Sequence, residues 1–169
     1  MRVLVTAASK HGSTAEIAEA IANGLRSRHM EAGVLEIDQV EDTAGWDAAV
    51  IGSAVYGGHW LSAAVDMTER LSTQLITLPV WLFSSGPIGE PPKPTEDPVD
   101  VARVQAVTRA RAHRVFAGKL DKSKLSFPER AIVGALRAPY GDFRDWDEIA
   151  AWTSEIADAL TATNVSSTR

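Results

Sequence analysis

Residues 3–14 read Val3-Leu4-Val5-Thr6-Ala7-Ala8-Ser9-Lys10-His11-Gly12-Ser13-Thr14 and pass into Ala15-Glu16-Ile17-Ala18-Glu19-Ala20-Ile21-Ala22; this passage decides the fold. The apolar, β-branched opening predicts a strand, the small polar residues a loop, and the apolar spacing after Thr14 a helix. A loop between a strand and a helix N-terminus collects unpaired backbone N–H groups and the positive end of the helix dipole at one point. The hydroxyls of Ser9, Ser13 and Thr14 add neutral donors there. No Lys directly precedes Ser13 or Thr14, so this is not the nucleoside-triphosphate loop; with Gly12 its only glycine, it is not the three-glycine dinucleotide fingerprint either. A monophosphate site remains. The plainer alternative is a helix capped by Ser13, with Glu16 completing a capping box.

At 169 residues the chain suits one domain, read here as residues 1–162, followed by a tail at 163–169 expected to be disordered. A hydrophobic fraction of 45% and a charged fraction of 23% are those of a soluble globular protein. No apolar run spans a bilayer, and the charged loop at Lys10 leaves no room for a secretory apolar region, so a cytoplasmic protein is expected. The absence of cysteine excludes disulfides, thiolate metal sites and thiol redox chemistry, so any redox work needs a bound cofactor. The four histidines, at 11, 29, 59 and 113, lack ligand spacing, and no metal is expected. A net charge of −5 argues against nucleic acid as a partner. Neither a Ser/His/Asp arrangement nor a carboxylate pair stands out, and no side chain is assigned as catalytic.

Short apolar runs alternate with helical spacing, which predicts an α/β fold: a doubly wound, five-stranded parallel sheet with helices on both faces. The strands fall at Arg2–Ala7, Val34–Ile37, Ala48–Ser53, Val80–Ser84 and Arg114–Ala117. Helices are expected from Ser13 to about His29, stopped by Gly33, and at Leu61–Thr73, Val99–Ala112 and Asp145 to about Thr161. In the last, Trp146, Ile149, Trp152, Ile156 and Leu160 form a core stripe, with Asp145 or Asp142 as cap. Two stretches exceed a minimal fold. Pro87–Pro98 holds five prolines and must be irregular. Lys119–Arg144 is an insertion before the last helix, and its inner part, Pro128–Arg137, reads as a short helix whose apolar side must be buried against the body, a partner or a membrane surface. Arg103, Arg109, Arg111, His113 and Arg114, continued by Lys119, Lys122 and Lys124, form a basic patch: a solvated face, or a contact for an acidic redox partner, a carboxylated porphyrin or anionic lipid.

In an open parallel sheet, ligands bind beyond the carboxyl ends of the strands. Besides Ser9–Thr14, two segments leave those ends. Ala54-Val55-Tyr56-Gly57-Gly58-His59-Trp60 offers paired glycines beside flat rings; Ser84-Ser85-Gly86-Pro87-Ile88-Gly89 is flexible and rich in hydroxyls. A phosphate loop, an aromatic loop and a glycine loop on one edge suit a planar ring with a phosphate arm, the shape of FMN. Tyr56, His59 and Trp60 are expected either to flank that ring or to pack on the following helix.

Over nearly its whole length the chain resembles the flavodoxin superfamily, with Ser9, Gly12 and Thr14 at the usual places of its phosphate loop and His11 where a Thr is common. Within it the chain is most similar to the menaquinone-dependent protoporphyrinogen dehydrogenase branch, through Ser9–Thr14, Gly57-Gly58-His59-Trp60, Gly141-Asp142-Phe143-Arg144-Asp145-Trp146 and the insertion. The resemblance implies FMN held by Ser9, Lys10, His11, Gly12, Ser13 and Thr14, by Ala54, Val55, Tyr56, Gly57, Gly58, His59 and Trp60, and by Ser84, Ser85, Gly86, Pro87 and Gly89. It also implies an oxidoreductase with a quinone or porphyrin substrate. The alternative is a flavodoxin-type electron carrier that docks with redox proteins.

Overall fold

β1 (Arg2–Ala8) is buried at every position after Arg2, as a strand covered on both faces must be. It pairs in parallel with β2 (Glu31–Glu36) on one side and β3 (Ala48–Tyr56) on the other. β3 pairs with β5 (Val80–Ser85), and β5 with β6 (Ala112–Phe116), again in parallel, giving the order β2-β1-β3-β5-β6. The two-residue β4 (His59–Trp60) folds back on β3 as a hairpin. The computed structural model describes residues 1–91 and 93–167. Among them no helix is long and apolar enough to cross a membrane.

Alternation along the strands sends side chains to two cores. On one face Val3, Val5, Val50, Trp81 and Phe83 meet α1 (Ser13–Ser27) and α6 (Trp146–Ser167). On the other, Leu4, Ile51 and Leu82 meet α2 (Ser62–Arg70), α3 (Ser72–Leu75) and α4 (Val101–Thr108). The expected doubly wound sheet is therefore observed, with these boundary corrections. β3 and β5 run on through Tyr56 and Ser85, so Ala54, Val55, Ser84 and Ser85 lie in strands and not in loops. β2 begins at Glu31, and Ile37 has already left it for a 3-10 turn. The expected helix 61–73 is broken at Leu71. α4 stops at Thr108 because Arg109 turns left-handed at φ 51°, which leaves room for β6 to begin two residues before the expected Arg114.

Gly33 does not stop α1; it lies inside β2. The stop is a Schellman motif with His29 left-handed at φ 63°, where the Met30 amide donates to the Leu25 carbonyl and the His29 amide to that of Arg26. α6 begins on an Asp145 cap, whose carboxylate accepts from the amides of Asp147 and Glu148. It extends to Ser167, beyond the expected end at Thr161 and into the segment read as a tail; positions 168–169 lie outside the described residues. Ile149, Trp152, Ile156 and Leu160 are buried, but Trp146 is 43% exposed and stacks under Arg144 instead of joining the core.

The insertion is ordered. β7 (Lys119–Leu120) pairs antiparallel with β8 (Gly141–Asp142), and between them lie a 3-10 turn (Lys122–Lys124) and α5 (Phe127–Ala135). α5 starts on a capping box between Ser126 and Glu129, with Pro128 in its first turn. Of the three expected covers for its apolar side, the body is not the one: no α5 residue is buried, and Phe127, Ile132 and the following Leu136 are 86%, 59% and 73% exposed. Most of the basic patch is engaged internally. Arg103 pairs with Glu69, Arg114 with Glu148 and Glu155, and Arg111 lies over Trp81.

Candidate functional site

Between β1 and α1 the loop turns on Gly12, left-handed at φ 89° and the N-cap of the helix. Its amide donates to Ser9 Oγ at 3.1 Å, and its carbonyl accepts the first helical bond, from Glu16. The cap is thus Gly12 and not Ser13, and no Ser13–Glu16 capping box forms. Glu16 turns instead to Arg144, whose Nη1 donates to it at 2.7 Å and to the Ser13 carbonyl at 3.1 Å. Arg144 also grips Asp142 with two bonds of 2.8 and 2.6 Å, which hold that carboxyl below the ordinary carboxylate range. The arginine side chain is 2% exposed, so it neutralises the one acid of the first turn and pins the end of the insertion to the start of α1.

Thr14 decides what the loop can hold. It is 1% exposed, and its hydroxyl has no partner. A buried, unsatisfied hydroxyl at a helix start is an incomplete polar site, which an anion oxygen could complete. Lys10 and His11 do not turn toward it. Both reach Glu129 of α5, Lys10 Nζ donating at 2.7 Å and His11 Nε2 lying at 3.0 Å. With Ser126 they hold the Glu129 carboxyl well below its ordinary range, Lys10 contributing most. The loop's inward donors are neutral.

The second segment is a tight hairpin with Gly57 and Gly58 both left-handed, at φ 58° and 82°, and with open space where a Cβ would stand. Asp100 fixes it, accepting from the Trp60 amide at 2.9 Å and facing His59 Nδ1 at 3.1 Å. Trp60 is 4% exposed, and its indole donates to Ser84 Oγ at 2.8 Å, so it packs beneath the edge with α2, the second of its two expected roles. Ser84 is likewise enclosed, bonded to His113 Nε2 at 2.8 Å; Ser85 and Ala54 are buried.

At the third segment Gly86 and Gly118 pass backbone against backbone, where a Cβ on Gly118 would meet Gly86 at 3.3 Å. Three cavities flank these loops. One of 240 Å³ is lined by Val55, Gly57, Gly58, Gly86 and Pro87 with Pro94 and Val115. One of 260 Å³ lies under the insertion, between Lys10, His11, Ser13 and Tyr56 on the body and Leu120, Lys124, Leu125, Ile132 and Val133 above. Gly89 lines a wider opening of 580 Å³ that faces Phe143 and Arg144. Successive strand positions point oppositely, which puts Val55 in the first cavity and Tyr56 in the second. Burial, and then Glu129, push the Tyr56 phenol above its ordinary pKa.

A family model described as "Flavodoxin domain" matches residues 4–147. The chain belongs to the flavodoxin domain family. A protoporphyrinogen IX dehydrogenase [quinone] from Escherichia coli K12 is 24% identical over 93% of this chain and 95% of its own. Among solved structures, a flavodoxin from the domain Archaea superposes with a TM-score of 0.65 at 18% identity, over 95% of this chain and 99% of that one. Oxidised flavodoxin 1 from Bacillus cereus gives 0.61 at 14% identity, over 94% and 98%. A flavodoxin domain of this kind is a flavin-type redox protein, and the loop with the unpartnered Thr14 hydroxyl lies within the matched residues.

The residues that sequence reasoning passed over belong to the insertion: Leu120, Leu125, Glu129, Ile132 and Val133 as walls of a cavity. Ser126-Phe127-Pro128-Glu129 carries a legible capping signal that starts α5 one residue earlier than the expected Pro128. Its second use, as partner to Lys10 and His11, leaves no mark in local sequence.

Proposed function

We propose that this flavodoxin domain is an FMN-dependent oxidoreductase with a quinone acceptor, acting on a reduced organic substrate such as a porphyrinogen. The observation that carries FMN is the Thr14 hydroxyl, buried and unpartnered among neutral donors at the start of α1. Ser9 holds the loop closed, Gly12 supplies its left-handed turn, and Arg144 cancels the Glu16 charge that would repel an anion there. Bound there, FMN would supply the ring that accepts a hydride equivalent and passes electrons on. The Gly57–Gly58 hairpin and Gly86–Pro87 would bracket the ring. The apolar cavity between Tyr56 and the insertion supports an organic substrate, with Lys119 and Lys124 at its rim to receive a carboxylate. The relative named protoporphyrinogen IX dehydrogenase [quinone] supports the same pair of substrates.

The first test is the absorbance of the purified protein with and without FMN. Flavin bands that survive desalting are expected; their loss overturns the reading. A second reading, an electron carrier, is favoured by the net charge of −5, which suits basic redox partners, and by the neighbours named flavodoxin. Anaerobic reductive titration separates them. Reduction in two resolved one-electron steps supports the carrier, and uptake of two electrons at once with quinone turnover supports the enzyme.

A further inference from the structure

The insertion meets the phosphate loop through a carboxylate. Glu129 Oε1 takes both Lys10 Nζ, at 2.7 Å, and His11 Nε2, at 3.0 Å. Its other oxygen accepts from the amide and hydroxyl of Ser126, at 2.8 and 2.6 Å. Alongside, Lys124 Nζ donates to the His11 carbonyl at 3.3 Å. Lys10 and His11 are therefore spent on an anion carried by α5, while the Thr14 hydroxyl in the same loop has no partner. A carboxylate is an acceptor-only anion like a phosphate monoester, with fewer oxygens and less charge.

We propose that Glu129 is a tethered counter-anion that competes with the ligand phosphate for Lys10 and His11, so that phosphate binding releases α5 from the loop. This rests on the reading of Ser9–Thr14 as a phosphate site. Little else restrains α5: none of its residues is buried, and Phe127 is 86% exposed. A bound phosphate brings up to two negative charges to the loop that Glu129 holds with one. While the tether is closed, the apparent affinity for phosphate falls by the fraction of molecules that are open. Glu129 then sets how strongly the loop holds an anion, and it couples the cavity wall of Ile132 and Val133 to occupancy of the loop.

The test uses the full chain and E129Q, whose amide still completes the capping box but carries no charge. Dissociation constants for FMN and for inorganic phosphate are measured at fixed ionic strength, with amide hydrogen exchange of 127–135 followed as phosphate is added. E129Q is expected to bind both about tenfold more tightly. Exchange in α5 should rise on phosphate addition in the native chain and already be fast in E129Q. FMN binding with equal or weaker affinity in E129Q, or α5 protection that phosphate leaves unchanged in the native chain, overturns the tether alone. If neither protein binds FMN or phosphate, the phosphate-loop reading falls and the tether falls with it.

Discussion

Thr14 is a residue whose substitution should move stability and binding in opposite directions. Its unpartnered hydroxyl is buried, so Thr14→Val is expected to leave the ligand-free protein as stable or up to about 1 kcal/mol more stable in urea unfolding. In the proposed phosphate site the same change removes a donor, and Ser13→Ala with Thr14→Ala should weaken FMN by roughly 2–4 kcal/mol in a titration. A second single-residue effect concerns pH. Burial pushes the His113 imidazole below its ordinary value of 6.5, with Asp97 opposing in part. The folded state thus favours neutral His113, and the unfolded chain binds more protons once the pH drops below 6.5. Stability is complete above that value and is lost on acidification through the folded pKa. His113→Gln should flatten the loss that sets in below pH 6.5 in urea midpoints. Legibility at this scale followed locality. The Ser9–Gly12 turn closes within four residues and is legible in sequence; the Trp60–Ser84 hydrogen bond spans 24 positions and is not. Glu129 and His11 are 118 positions apart, and only the folded insertion brings them together.

Helices and strands differ in how much of their origin is written locally. The buried runs of β1, β3 and β5 announce themselves, but their ends do not, because the neighbouring strand supplies the hydrogen bonds that carry β3 on to Tyr56 and β5 to Ser85. Likewise the left-handed His29 and Arg109, which end α1 and α4, occupy a conformation that sequence reading reserves for glycine. α5 is the element whose cover is not supplied by the body. Its apolar residues invited a buried face, yet they split between the cavity wall and open solvent. Phe127→Ser and Leu136→Ser should therefore change unfolding free energy by no more than about 0.5 kcal/mol. Trp152→Ala, in the core between α6 and the sheet, should cost about 3–5 kcal/mol. Chemical denaturation of the three variants side by side checks the contrast.

For the molecule as a whole, a parallel sheet with two-sided helix cover is legible because alternating strands and helices leave few solutions, whereas the order β2-β1-β3-β5-β6 comes from the structure. The seat of a ligand at the carboxyl edge follows from that order. A ligand held there stabilises only the folded chain, so FMN at one hundred times its dissociation constant should add about 2.7 kcal/mol, a rise of roughly 5–10 °C in Tm. Arg144→Met should lower the stability of the ligand-free protein by about 2–3 kcal/mol, since Glu16 and Asp142 would lose their shared cation while keeping some access to water. The β7–β8 pairing has a consequence for how such a chain can be altered. Leu120 sits opposite Gly141, so residues 121–140 leave and re-enter the body at neighbouring points, beside a root that Arg144 fixes to α1. They form a cassette. A two-residue turn can close the ladder in their place, and a longer or differently charged segment can be spliced in, without shifting the register of β6 or the start of α6.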